Sequence, residues 1–208
     1  MNDQQADRLA TTGLSRADAV VFQVIAGANL AFATLVLVLG GIAAVTTITS
    51  DTVDVPLRFA HPVSVEAGDV AVATAESGRA TVTAEGISAG ARALLAAGDI
   101  LGASVGAVIA VAIAMLLWRL AQGRPFHRSL FGAALLAGST MTLGGLLAIA
   151  AHAFGAMQVA VEVDPAGDVF TPGFEFDPTI LAAGAAVLLL AFVFQAGNRL
   201  QRETEGLV

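Results

Sequence analysis

Between Leu101 and Ala151 the chain carries two long apolar runs joined by the short polar segment Gln122-Gly123-Arg124-Pro125-Phe126-His127-Arg128-Ser129. The first run, Leu101 to Leu120, has no charge until Arg119, and the second, Leu130 to Ala151, has none. Each is close to the ~20 residues that a helix, rising about 1.5 Å per residue, needs to cross the hydrocarbon core of a bilayer. The pair therefore reads as a transmembrane helical hairpin. Its connecting segment, with Arg119, holds three arginines and no acid, and short loops of that kind stay on the cytoplasmic side. That orientation constrains where the rest of the chain can go.

Composition agrees with a membrane location. Of 208 residues, 56% are hydrophobic and only 13% charged, against ~45–50% apolar usage in ordinary soluble domains. The ten basic residues are all arginine, and cysteine and tyrosine are absent. Without cysteine there is no disulfide, thiolate nucleophile or Cys-ligated metal. Without lysine there is no Schiff base and no Ser-Lys dyad. A net charge of −7 argues against nucleic acid as a direct partner, since backbone recognition needs clustered cations.

In chain order, residues 1–18 are a polar cytoplasmic tail, and Ala19 to Ile48 is an apolar run far longer than the ~7–15-residue core of a cleaved signal peptide. The first transmembrane helix is placed at 19–49. The pattern then changes to alternation: Val53, Val55, Leu57 and Phe59 share one face of an extended segment, with Thr52, Asp54, Pro56 and Arg58 on the other. Pro56 confines that strand to an edge. Asp69 to Ala75 and Arg79 to Glu85 also alternate, with Glu76-Ser77-Gly78 between them as a three-residue hairpin turn. The segment 50–98 is thus an outer loop with a β-hairpin, and its Ala-rich end begins the second helix outside the membrane.

The central hairpin gives transmembrane helices at 99–120 and 130–152 around the basic loop 121–129. In the second outer loop, 153–178, the alternation of Ala156 to Asp164 predicts a further strand for the sheet. Asp177-Pro178 is an N-cap followed by an N1 proline opening the fourth helix, 179–198, which continues amphipathically into the cytoplasmic tail 199–208. The tail, central loop and C-terminus hold Arg8, Arg16, Arg119, Arg124, Arg128, Arg199 and Arg202, whereas the outer loops hold only Arg58, Arg79 and Arg92. Both termini are therefore expected inside. Most acids fall in the outer loops, which disfavours an anionic ligand there.

Leu120-Ala121-Gln122-Gly123-Arg124-Pro125-Phe126 resembles the Gly-x-Pro-Phe turn of a bacterial family of four-helix membrane proteins known as domain of unknown function 2975. The ending from Phe192 through Arg199-Leu200-Gln201-Arg202-Glu203-Thr204-Glu205-Gly206-Leu207-Val208 is similar to that family's C-terminal helix and tail. The nearly apolar Ser129-Leu130-Phe131-Gly132 departs from the basic stretch that usually follows the family's turn. The resemblance implies a small integral membrane protein often found beside a helix-turn-helix regulator, and no enzymatic activity.

The candidate sites are few. Arg119, Arg124, Arg128, Arg199 and Arg202 share the inner side with Phe126 and could form a basic collar that docks a cytoplasmic partner. The plainer alternative, given more weight, is topology-setting arginine in contact with anionic headgroups. Asp99 and His152 lie at similar depth from their inner helix ends, so antiparallel packing could bring them together near the outer surface as a proton- or cation-responsive pair. Two solvated helix ends that never meet is the commoner case. Gly102-x-x-x-Gly106-x-x-x-Ala110 and Ala134-x-x-x-Gly138-x-x-x-Thr142 are small-residue ridges that let helices approach, within the bundle or in a homo-oligomer. His61, His127 and His152 are scattered, without metal-ligand spacing, and no nucleophile elbow, P-loop or dinucleotide fingerprint occurs.

The expected fold is an all-α integral membrane bundle of four transmembrane helices with a small β-rich extracytoplasmic element drawn from the two outer loops. The expected role is that of a non-enzymatic sensor or regulator in the bacterial cytoplasmic membrane, without cofactor or metal. Its expected partners are the lipid bilayer and a cytoplasmic protein. The alternative is a small permeation or accessory subunit of a transporter or envelope complex.

Overall fold

The computed structural model describes residues 15–59, 75–76, 79–122, 128–171 and 178–205, with the side chains of 16, 75, 76, 79, 128–130, 194, 198 and 200–205 outside the description. The elements, in order, are helix α1 (Arg16–Thr49), strands β1 (Thr52–Phe59), β2 (Ala75–Glu76) and β3 (Arg79–Glu85), helix α2 (Ala89–Ala121), helix α3 (Arg128–Ser139), a π-helical turn (Thr140–Gly144), helix α4 (Gly145–Val163), strand β4 (Phe170–Thr171) and helix α5 (Thr179–Glu205). Four helical stretches, Ala17–Thr49, Ala89–Ala121, Phe131–Val163 and Thr179–Gly197, are long and apolar enough to cross a membrane. Their outward surfaces are apolar too: Val24, Leu136, Leu189 and Val193 are each at least 60% exposed. Such surface is costly against water and costs nothing against hydrocarbon.

The chain divides into two units. The first comprises Met1–Val38, Ala103–Leu146 and Pro178–Val208. Ser15 opens α1 with a reciprocal cap, its hydroxyl accepting from the Asp18 N–H at 3.2 Å while Asp18 Oδ2 accepts from the Ser15 N–H at 2.8 Å. Deeper in, Ala33, Ala107 and Ala110 are buried together, and a methyl on Gly106 would stand 3.3 Å from Val36 Cγ1. A methyl on Gly138 would come within 2.9 Å of the Leu188 backbone nitrogen, and one on Gly184 within 3.1 Å of that of Thr142. Small residues thus set how closely α3 and α5 approach, as expected where helices associate by van der Waals packing. Between α3 and α4 the Thr142 hydroxyl donates to the Gly138 carbonyl at 2.9 Å, and the Gly145 N–H reaches the carbonyls of Thr140, Met141 and Thr142. Hydroxyl back-bonding beside a Gly-Gly pair is a usual setting for a widened turn.

The second unit comprises Leu39–Gly102 and Leu147–Asp177. Its sheet is antiparallel, in the order β2-β3-β1-β4. β1 buries Val53, Val55 and Leu57 and exposes Thr52, Asp54, Pro56 and Arg58, the alternation its sequence predicts. These join Ala84, Ile87, Ala91, Leu95, Val159 and Ala160 in one hydrophobic core under the sheet. Ser88 caps α2, its hydroxyl accepting from Ala91 N at 3.2 Å. Ser88 N in turn donates to Glu162 Oε2 at 2.8 Å, so a carboxylate sits at a helix N-terminus.

α2 is one helix from Ala89, so the Ala-rich end of the first loop does begin it, ahead of the expected membrane span at 99–120. Other boundaries and pairings differ from the sequence reading. The third helical stretch runs on to Val163 instead of stopping at 152, and Ala156 to Asp164 is helix up to that point, not strand. The alternation there is incidental: the residues that meet the core are Ala156, Val159 and Ala160, at helical spacing. The strand from the second loop is instead Phe170–Thr171, which pairs with Arg58 and Phe59 and stacks Phe170 on Phe59 with ring centroids 5.7 Å apart. β1 is therefore central, not an edge, but β4 covers only its last two residues, so Pro56 lies where that side is uncovered among the described residues. Finally, Glu76 pairs with Arg79, leaving residues 77 and 78 between the strands instead of three turn residues. The expected strand from Asp69, and the N-cap Asp177, lie outside the described residues. Pro178 stands one place earlier than the expected N1: α5 begins at Thr179, and the Pro178 carbonyl accepts its first bond, from Ala182 N at 3.0 Å, as an N-cap residue does.

Candidate functional site

In the second unit, α1 ends at Thr49 with no basic residue in its last turn. Helix ends leave up to four carbonyls without an intrahelical partner and carry partial negative charge. The guanidinium of Arg92, on α2, meets that need. Its Nη1 donates to the carbonyls of Thr47, at 3.0 Å, and Ser50, its Nη2 to that of Asp51 at 3.1 Å, and its Nε to that of Ile87 at 3.4 Å.

Thr47 is shared with a second cluster. Its hydroxyl donates to Asp99 Oδ2 at 3.4 Å, and Asp99 Oδ1 lies 3.3 Å from His152 Nε2. The structure thus brings Asp99 and His152 together, and adds Thr47 and Arg92 to them. Seating the imidazole requires Gly98, because a methyl there would lie 2.4 Å from His152 Cδ2. One turn away, a methyl on Gly155 would lie 2.9 Å from Leu95 Cδ2, so α2 and α4 cross closely over this stretch. The signal for Arg92 was available in the sequence, since it is the only charge between Glu85 and Asp99.

Chemically the cluster is a hydrogen-bonded tie between α1, α2 and α4. The side chains of His152 and Asp99 are 46% and 24% exposed, and a pair so open to solvent contributes at most about 1 kcal/mol. Among the described residues no three His, Cys, Asp or Glu side chains group as metal ligands.

The expected basic collar is described only in part, and all of it belongs to the first unit. Arg119 is half-buried and its Nη1 donates to Gln122 Oε1 at 3.5 Å. Arg199 is exposed on α5. Arg128 opens α3 and Arg202 lies within α5, but their side chains, with the whole of Arg124 and Phe126, lie outside the described residues. The same unit contains an open apolar groove of about 330 Å³ formed by α1, α2 and α3, lined among others by Leu37, Val108, Val111, Met115, Ala133 and Leu136.

Comparison of the chain with known protein families, with characterised proteins and with solved structures finds no match.

Proposed function

We propose that the chain is a multi-pass protein of the bacterial cytoplasmic membrane, with both termini inside, that acts as a sensor or regulator and not as an enzyme. It meets a cytoplasmic partner at the arginine-bearing ends of its helices. The observation that carries this reading is the length of α5. Its apolar stretch ends at Gly197, yet the helix continues to Glu205. Those eight residues, about 12 Å of helix, include Arg199 and Arg202. A helix that outlasts its apolar stretch presents a charged arm beyond the bilayer surface, on the side where arginine-rich ends collect. The resemblance of the Gly123-x-Pro125-Phe126 turn and the C-terminal tail to a family found beside helix-turn-helix regulators supplies the class of partner.

The test is an in-cell crosslink from a photoreactive residue at position 126, followed by mass spectrometry of the adduct. A helix-turn-helix protein captured there, and lost when Arg199 and Arg202 are both changed to Gln, supports the regulator reading. Capture of lipid alone, or of the chain itself alone, removes it, and solute flux through liposomes holding the purified protein then becomes the measurement of interest.

A further inference from the structure

The groove between α1, α2 and α3 lies wholly in the first unit, and its walls have a register that extends past the groove itself. On α2 the lining residues Ser104, Ala107, Val108, Val111, Ala112 and Met115 fall at positions i, i+3, i+4, i+7, i+8 and i+11, so they form one stripe. From Ser104 to Met115 the helix rises about 16 Å at 1.5 Å per residue, close to half of a ~30 Å hydrocarbon core. The next positions on that stripe are Trp118, three residues beyond Met115, and Arg119, four beyond it. Trp118 is 49% exposed and is the chain's single tryptophan. Arg119 is half-buried and spends one of its five N–H donors on a long bond to Gln122.

An apolar groove about half a bilayer core long, on a helix stripe that continues to an indole and a guanidinium, matches a phospholipid in length and in charge. We propose that this groove holds an acyl chain of an anionic phospholipid whose phosphate is met by Arg119. The chain is taken by the open walls of Leu37, Val111, Met115 and Leu136, each at least 39% exposed, and the small residues Ala107, Ala112 and Ala133 leave the space it fills. Arginine suits the far end because its planar donors bind phosphate and its stem packs along apolar surface. Trp118 sits where aromatic side chains mark the bilayer interface.

The site goes beyond the regulator reading and fails separately from it: the crosslink at position 126 reports the partner, and the fluorescence of Trp118 reports the lipid. The full chain is reconstituted in phosphatidylcholine vesicles containing a minority of either brominated phosphatidylglycerol or brominated phosphatidylcholine, and quenching of Trp118 is compared. Brominated phosphatidylglycerol should be favoured about fivefold, the ratio that about 1 kcal/mol per arginine near an anionic surface gives. Arg119→Gln should abolish the preference, Arg119→Lys should keep most of it, and Ala112→Leu should reduce quenching by both lipids, with helical content by circular dichroism confirming that each variant folds. Equal quenching of the wild type by the two lipids overturns the proposal. So does a preference that survives Arg119→Gln, which would belong to the general arginine excess. Weak quenching by both lipids overturns it too, because protein and not lipid would then cover the groove.

Discussion

The imidazole of His152 lies directly against the backbone of α2 at Gly98: a methyl group on Gly98 would stand 2.4 Å from Cδ2, 2.7 Å from Cγ and 2.8 Å from Nε2 of the ring. No flexible chain end is there to yield, so Gly98→Ala must push the ring away from Asp99 or separate the two helices. Overpacking of this kind costs about 1–3 kcal/mol. Gly102, four residues further along the same helix, has nothing within 4 Å of such a methyl. Gly102→Ala should be neutral or stabilising by a few tenths of a kcal/mol, since alanine restricts the unfolded chain and favours helix. Denaturant unfolding of the two variants in the same detergent should separate them by more than about 1 kcal/mol, and equal stabilities would mean that the helices do not meet at Gly98.

Under the sheet, Val55 is 1% exposed and Val159 is fully buried, and the two share one cluster. Val159→Ala should cost about 2 kcal/mol, the transfer of two buried methyl groups with an added term for the cavity left behind. The exposed Val161, on the same helix, should tolerate alanine with little change. If Val161→Ala proves as damaging as Val159→Ala, the α4 face turned to the sheet has been assigned wrongly. Strand alternation over Ala156 to Asp164 would have put Val159 and Val161 on one face, so this pair also tests helix against strand.

How legible the fold is in the sequence depends on what each residue has to compete with. The four apolar runs are unambiguous because a bilayer-length stretch without charge has few soluble alternatives, and the face of β1 is legible because its period of two is pure over Thr52 to Phe59. Met157 to Val163 misleads because valine at every second position satisfies a strand pattern while only Ala156, Val159 and Ala160 pack, at helical intervals. Pro56 misleads in a subtler way, since its rule about edges holds locally even though β1 as a whole is central. For the polar cluster, matching the depths of Asp99 and His152 along antiparallel helices is enough to suggest their meeting. Arg92 stands out as the only charge between Glu85 and Asp99, but its targets are not legible, and neither is Thr47, because a hydroxyl and an arginine acting on backbone carbonyls of another helix leave no spacing motif.

Arg92 reaches four carbonyls at once, three of them at the end of α1. A lysine presents a single ammonium and cannot span that fork. Arg92→Lys should therefore lose most of the contribution, and Arg92→Gln all of it, about 1–2 kcal/mol for hydrogen bonds from a charged donor at a partly exposed site. The loss should be local. Hydrogen exchange should quicken at the amides of the last turn of α1 and stay unchanged near Ala33, and uniform acceleration along the helix would contradict a capping role.

Asp164 holds the turn between α4 and β4. Its Oδ2 accepts from the backbone N–H of Phe170 at 2.8 Å and of Val169 at 2.7 Å, and those bonds, the Phe170 one foremost, keep its carboxyl below the ordinary value of 3.8. A carboxyl lowered on folding stabilises the fold fully above its unfolded value and loses that contribution as pH falls through the folded value. Protection of the Val169 and Phe170 amides should therefore be constant from neutral pH down to about 3.8 and fall only in stronger acid. Asp164→Asn keeps one acceptor oxygen but no charge, and should weaken protection at neutral pH and remove the acid-dependent step. An acid step that persists in that variant would assign it to another carboxylate.

The orientation in the membrane rests on arginine alone, since seven of the ten lie at the termini and the central loop. Positive-inside bias is a property of short loops and helix ends, and residues 122–127, between α2 and α3, are the shortest of the three connections between the membrane-length helical stretches. The chain's lack of cysteine makes the test direct, because every thiol is one that has been introduced. Ser77→Cys, between β2 and β3 in the sequence, and Gly167→Cys, in the turn before β4, should react with a membrane-impermeant maleimide in intact cells. Gln122→Cys, at the end of α2, should react only after the cells are opened. Gly167 has a positive φ of 72°, so cysteine there carries some strain, and Ser77 supplies the independent reading. Labelling of Gln122→Cys in intact cells, with Ser77→Cys protected, would invert the topology and place α5's charged arm outside, where no cytoplasmic partner could meet it.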